Sequence, residues 1–191
     1  MATSQVYGSG FRIIPEGDEV WEDLRVGGLA TERKSDPPDI EVFRDGLQAN
    51  AFDTTTLEQV YFELQLPHGW LAGSSVSPHI HWGHNIAVPE DNKGVVWGLE
   101  YSWGEIGETF GASNTIYSTD DWVTAPVQYQ HNLSEFADIS GAGKTLSSML
   151  MCRLFRNVAS GDDDFAHDAF LFEFDLHVQM NSLGSRQEYV K

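Results

Sequence analysis

Two histidines one residue apart, His79 and His81, are the residues of this chain best placed for chemistry. In extended chain, positions i and i+2 project to the same side, so both imidazoles can address one ion. His177 sits in a second run of alternating character, Asp175-Leu176-His177-Val178, and could complete a three-imidazole set for iron, zinc or manganese. The same residues have a plainer account. In Val76-Ser77-Pro78-His79-Ile80-His81-Trp82 the apolar Val76, Ile80 and Trp82 share one face and the histidines the other. Glu63, Glu100, Glu173, Asp175 and His177 hold the polar half of their own alternations. Solvent or a partner subunit satisfies such a face without an ion. On this account His79, His81, Arg153, Glu173 and His177 form an interface, and no metal, other cofactor or catalytic residue is expected.

The spacing Gly73, then His79 and His81, resembles the opening of a cupin metal motif, and His177 to Asn181 resembles the tail of the second one. The pattern then departs. Asn85 and Ile86 stand where the cupin glutamate belongs, and the glycine and proline expected before His177 are missing. A cupin-like metal-dependent enzyme using His79, His81 and His177 is therefore the alternative reading. Other chemistries are weaker. Gly143-Lys144-Thr145 ends like a phosphate-binding loop, but Asp138 replaces its first glycine, so a tight turn is expected. Asp162-Asp163-Asp164 reads as a solvated turn, and Cys152, the single cysteine, as a core thiol. Trp70, Trp82, Trp97 and Trp103 could stack on carbohydrate, yet three of them fall on apolar strand faces and are expected in the core.

The elements that must position these residues are strands. Val60 to Leu66, Val76 to Trp82, Val95 to Trp103 and Phe170 to Val178 all alternate with period two and are rich in aromatic and β-branched residues. Ser148 to Arg156 also fits a helical face but is read as a strand beside its neighbours. Turn signals recur at Pro67-His68-Gly69, Asp91 to Gly94 and Gly141-Ala142-Gly143. Seven or eight strands without a long helix predict an all-β fold, a jelly-roll β-sandwich, over residues 57–191. Residues 1–56, with Pro37-Pro38 in their midst, are expected to form an extended, mostly irregular N-terminal arm anchored by Trp21 and Phe43. One or two helical turns are expected over Gly17 to Leu24, capped by Asp18.

Eleven Lys and Arg stand against 29 Asp and Glu in 191 residues, a formal charge of −18. That balance argues against a nucleic-acid backbone or an anionic membrane as partner. No apolar run reaches the ~18 residues of a membrane span, and the first residues show no secretory leader.

At the core strands the sequence resembles jelly-roll virion structural proteins of tailed bacteriophages. The similarity lies in Gln65-Leu66-Pro67-His68, Pro78-His79-Ile80-His81-Trp82, Trp97 to Trp103, Arg153 to Asn157, Asp175-Leu176-His177 and the ending Gly184 to Tyr189. The resemblance implies a virion component without catalysis, commonly a trimer, that decorates or cements the capsid or forms part of a knob or fibre. It implies contact with the major capsid protein or other virion proteins, and assembly in the host cytoplasm. Trp21, Phe43 and the polar strand face would then be the contact residues.

Overall fold

Side chains that alternate in polarity along extended chain leave one wet and one apolar face per strand, and two such apolar faces bury each other. The computed structural model describes residues 20–87, 93–118, 120–121, 127–185 and 187–188. Among them the strands are β1 (Val20–Gly27), β2 (Asp39–Arg44), β3 (Leu47–Phe52), β4 (Gln59–Gln65), β5 (Val76–Gly83) and β6 (Gly94–Val95). They continue as β7 (Trp97–Gly104), β8 (Asn114–Tyr117), β9 (Asp120–Asp121), β10 (Asn132–Glu135), β11 (Met149–Arg156) and β12 (Ala169–Met180).

One sheet, the front, runs β10-β5-β12-β3-β2, with β1 joined to the other half of the β12 edge; the back sheet runs β4-β11-β7-β8. Strands β6 and β9 pair separately. Eight of the strands carry the jelly-roll order: β3, β12, β5 and β10 oppose β4, β11, β7 and β8. Along the chain each of these eight passes to the opposite sheet except at β7 to β8. The all-β sandwich expected from alternation is what the chain forms. Between the sheets lie Phe52, Phe62, Trp82, Trp97, Leu99, Leu154, Phe174 and Leu176. All four of the tryptophans weighed as stacking surfaces are buried. The Trp82 indole donates to Ser134 Oγ at 2.6 Å and that of Trp103 to Ser148 Oγ at 3.0 Å.

Of the segment expected as an irregular arm over residues 1–56, residues 1–19 lie outside the described residues, and the rest is built into the body: β1, β2 and β3 join the front sheet, and β3 buries Ala49, Ala51 and Phe52. The helical turns expected up to Leu24 are replaced by β1, which runs antiparallel to β12 from Val20 opposite Met180 to Gly27 opposite Glu173. The open edge of β12 offers a full ladder, and Leu24 and Val26 pack on the core, so pairing overrides local preference. Asp18, the expected cap, lies outside the described residues, as do Asp91 and Asn92 of one expected turn. At the end of β1 the chain passes so close to β12 that a Cβ on Gly28 would sit 2.6 Å from the Leu171 carbonyl oxygen. Only glycine fits there.

The run Phe170 to Val178 does not alternate simply. A bulge between Leu171 and Glu173 inserts Phe172 into β12. Leu171, Phe174, Leu176 and Val178 therefore face the sandwich core, while Phe170 packs with Ala49, Ala51, Phe43 and Phe172 in a second apolar cluster.

Candidate functional site

Strands β5 and β12 are central in the front sheet and antiparallel, and their register sets His79 opposite Asp175, His81 opposite Glu173 and Ser77 opposite His177. Val76, Ile80, Trp82, Phe174, Leu176 and Val178 of the same strands occupy the core. By alternation His79, His81, Asp175 and His177 therefore share the outer face of the sheet. There they converge rather than disperse. His81 Nε2 lies 3.0 Å and His79 Nε2 3.4 Å from the same Asp175 oxygen, Oδ2. The Asp175 side chain is only 5% exposed and that of His79 6%.

A file of titratable groups extends from this centre on both sides. His81 Nδ1 is 2.6 Å from Nε2 of His131, which precedes β10. With His81 donating its Nε2–H to the carboxylate, its Nδ1 accepts from His131. On the other side the His79 ring meets His177 edge-to-face at 4.4 Å between centroids. His177 Nε2 is paired with Asp23 Oδ1 of β1 at 2.6 Å. Burial, and then the neighbouring His177, hold the His79 pKa below the ordinary histidine value of 6.5. Its imidazole is thus favoured in the neutral form that metals and general-base chemistry require. Two hollows of about 450 and 440 Å³ flank the centre. Trp21, Glu135, Asp138 and His79 border the first; Asp23, Arg25, His131 and Asp175 border the second.

The other predicted residues separate. Trp21 is 53% exposed and tilts over His177 at 6.2 Å. Glu173 borders the second hollow beside Arg25, 3.6 Å away. Phe43 packs on Phe170 at 5.4 Å and Phe172 at 4.8 Å, so it anchors the chain to its own front sheet. Arg153 does not share the histidine face. It lies on β11 in the back sheet, bound to Glu100 at 2.6 Å and Gln59 at 2.7 Å, because alternation assigns a side within a sheet but does not say which sheet. The three-imidazole set is likewise rearranged: Asp175, not His177, shares ligand distance with His79 and His81.

Asp175 as a convergence point, and His131 and Asp23 as flanking partners, escape sequence reasoning. Asp175 carried a signal, two residues before His177 on one strand, but the β5–β12 register that sets it opposite His79 is not written in either strand alone. The Asp162-Asp163-Asp164 turn is not wholly solvated. Asp163 is buried against Arg156, 2.7 Å from Nη2, while Asp164 accepts from the Gly94 N–H at 2.8 Å. Burial pushes the Cys152 thiol up to about 12, which leaves it an inert core group. Lys144 donates to the Trp103 carbonyl at 3.0 Å in a turn. No protein-family model and no curated protein matches the chain.

Proposed function

We propose that the chain is a non-enzymatic structural subunit of a tailed-phage virion, a capsid decoration or cement protein that acts as a homo-oligomer, most simply a trimer. The observation that carries this reading is the apolar surface left bare on the N-terminal strands. Val20, Trp21, Leu29, Ile40, Val42 and Leu47 are all more than 40% exposed within one short stretch of chain. Val20 and Trp21 lie beside the Met180 end of β12, and Ile40, Val42 and Leu47 on the β2–β3 hairpin beside its Ala169 end, so the reading takes them as two separate contacts for neighbouring subunits. Among the described residues strand β2 is moreover an edge of the front sheet, with one side free to take a further strand. The jelly-roll order and the resemblance of the core strands to phage virion proteins support the same reading. The charge of −18 directs the surface toward protein partners and away from nucleic acid and anionic lipid.

Light scattering on the eluting full-length chain gives an oligomer, and the chain co-sediments with capsids of its phage. A Trp21→Ser, Val42→Ser double variant keeps its melting temperature but loses both properties. A strictly monomeric chain that ignores capsids would overturn the reading. Labelling of intact virions separates the head from a neck or tail position.

A further inference from the structure

Asp175 is a carboxylate with an incomplete set of partners. It is carried on the central strand of the front sheet and is almost wholly buried. Yet only Oδ2 is engaged, while Oδ1 has no hydrogen-bond partner among the described residues. A buried carboxylate is held where positive charge is close, and no lysine or arginine is paired with this one in the described structure. Instead two imidazole nitrogens approach the same oxygen, at 3.0 and 3.4 Å, and all three donor atoms lie within 4.8 Å of one another. A tetrahedral ion with bonds of about 2.0–2.1 Å holds its ligands roughly 3.3 Å apart. Each imidazole already stands at about that distance from Asp175 Oδ2, and the two imidazoles, at most 4.8 Å from each other, need only draw together onto the ion.

The surroundings fit as well. With an ion on His81 Nε2 the ring proton moves to Nδ1, which then donates to His131 Nε2, reversing the direction of the ion-free pair and supplying the outer hydrogen bond by which metal-binding histidines are oriented. Three carboxylates, Asp23, Glu173 and Asp175, border the hollow beside His81 against one arginine, Arg25, which leans to Glu173 at 3.6 Å. Two imidazoles and one carboxylate suit zinc-class ions; calcium and magnesium prefer all-oxygen shells.

We propose that His79, His81 and Asp175 bind one divalent transition ion of the zinc class, with the remaining position left to water from the adjoining hollow. The ion cross-braces β5 and β12, the central pair of the front sheet. Its ligands are not the exposed apolar residues on which the assembly role rests, so the two readings stand or fall separately.

The test uses the full-length chain, stripped with a chelator and then titrated with zinc by calorimetry and with cobalt by visible absorption. One ion binds per chain, cobalt shows the intense bands of low coordination, and zinc raises the melting temperature by mass action. Magnesium in excess does not compete. His81→Ala, at a part-exposed position, weakens binding at least ~100-fold, and His131→Ala weakens it by about 10–100-fold while keeping one ion per chain. His177→Ala leaves stoichiometry and affinity unchanged. Absence of stoichiometric binding by the wild-type chain would overturn the proposal without recourse to any variant. So would binding undiminished in His81→Ala, or binding abolished by His177→Ala, which would point to a different ligand set.

Discussion

Arg156 is wholly buried, and its guanidinium is satisfied from every side. Nε and Nη2 donate to Asp163, Nη1 to the carbonyls of Phe52 and His167, and Nη2 also to that of Phe165. Removing Asp163 strands the charge, so Asp163→Ala costs about 3–5 kcal/mol in urea unfolding. Glu100→Ala, which removes the partner of the part-exposed Arg153 on the outside of the back sheet, costs below about 1 kcal/mol. His84, like His79, makes stability depend on pH. It is fully buried, and its Nδ1 accepts the Ile86 N–H at 3.2 Å. Burial, and then the charge of His167, depress its folded pKa below 6.5. The unfolded chain thus takes up a proton first as pH falls through 6.5, and the stability contributed by neutral His84 is lost from there down to the depressed folded value. Urea midpoints are therefore lower at about pH 5.5 than at about pH 7.5, and His84→Gln narrows the difference. At this scale the sequence was only partly legible. His79 and His81 were visible from their spacing, but three consecutive aspartates do not disclose which one turns inward to meet an arginine.

Among elements, the strands with long alternation, β4, β5, β7 and β11, were readable because each has one buried face of several residues. Strand β1 was not. Its eight residues are mostly exposed, and it is extended only because the edge of β12 is there to receive it. The Phe172 bulge was equally hidden, since Phe170 to Val178 reads as unbroken alternation until the partner register is known. The docking of β1 depends on Gly28. A methyl group there collides with the Leu171 backbone, so Gly28→Ala lowers stability by about 1–3 kcal/mol and speeds hydrogen exchange of the β1 amides ahead of those in β11.

For the whole molecule, the two-layer β architecture followed from the lack of helical periodicity, and the arrangement of eight strands in jelly-roll order agrees with it. Which strands become neighbours was not legible, because every pairing that builds the front sheet except β2 with β3 joins distant parts of the chain. The charge of −18 makes the folded body repel itself at low ionic strength. Its melting temperature accordingly rises between about 10 and 150 mM sodium chloride, as the screening length shortens from about 30 to about 8 Å. The position of β12 has a further consequence. This strand is the last of the described ones, yet β5 lies along one of its edges and both β3 and β1 along the other. During synthesis the earlier strands leave the ribosome with their central neighbour still unmade, so the front sheet cannot close until β12 has emerged. Ribosome-arrested chains ending before Ala169 remain open to protease, and chains extended far enough past Met180 to free β12 from the ribosome become protected in a single step.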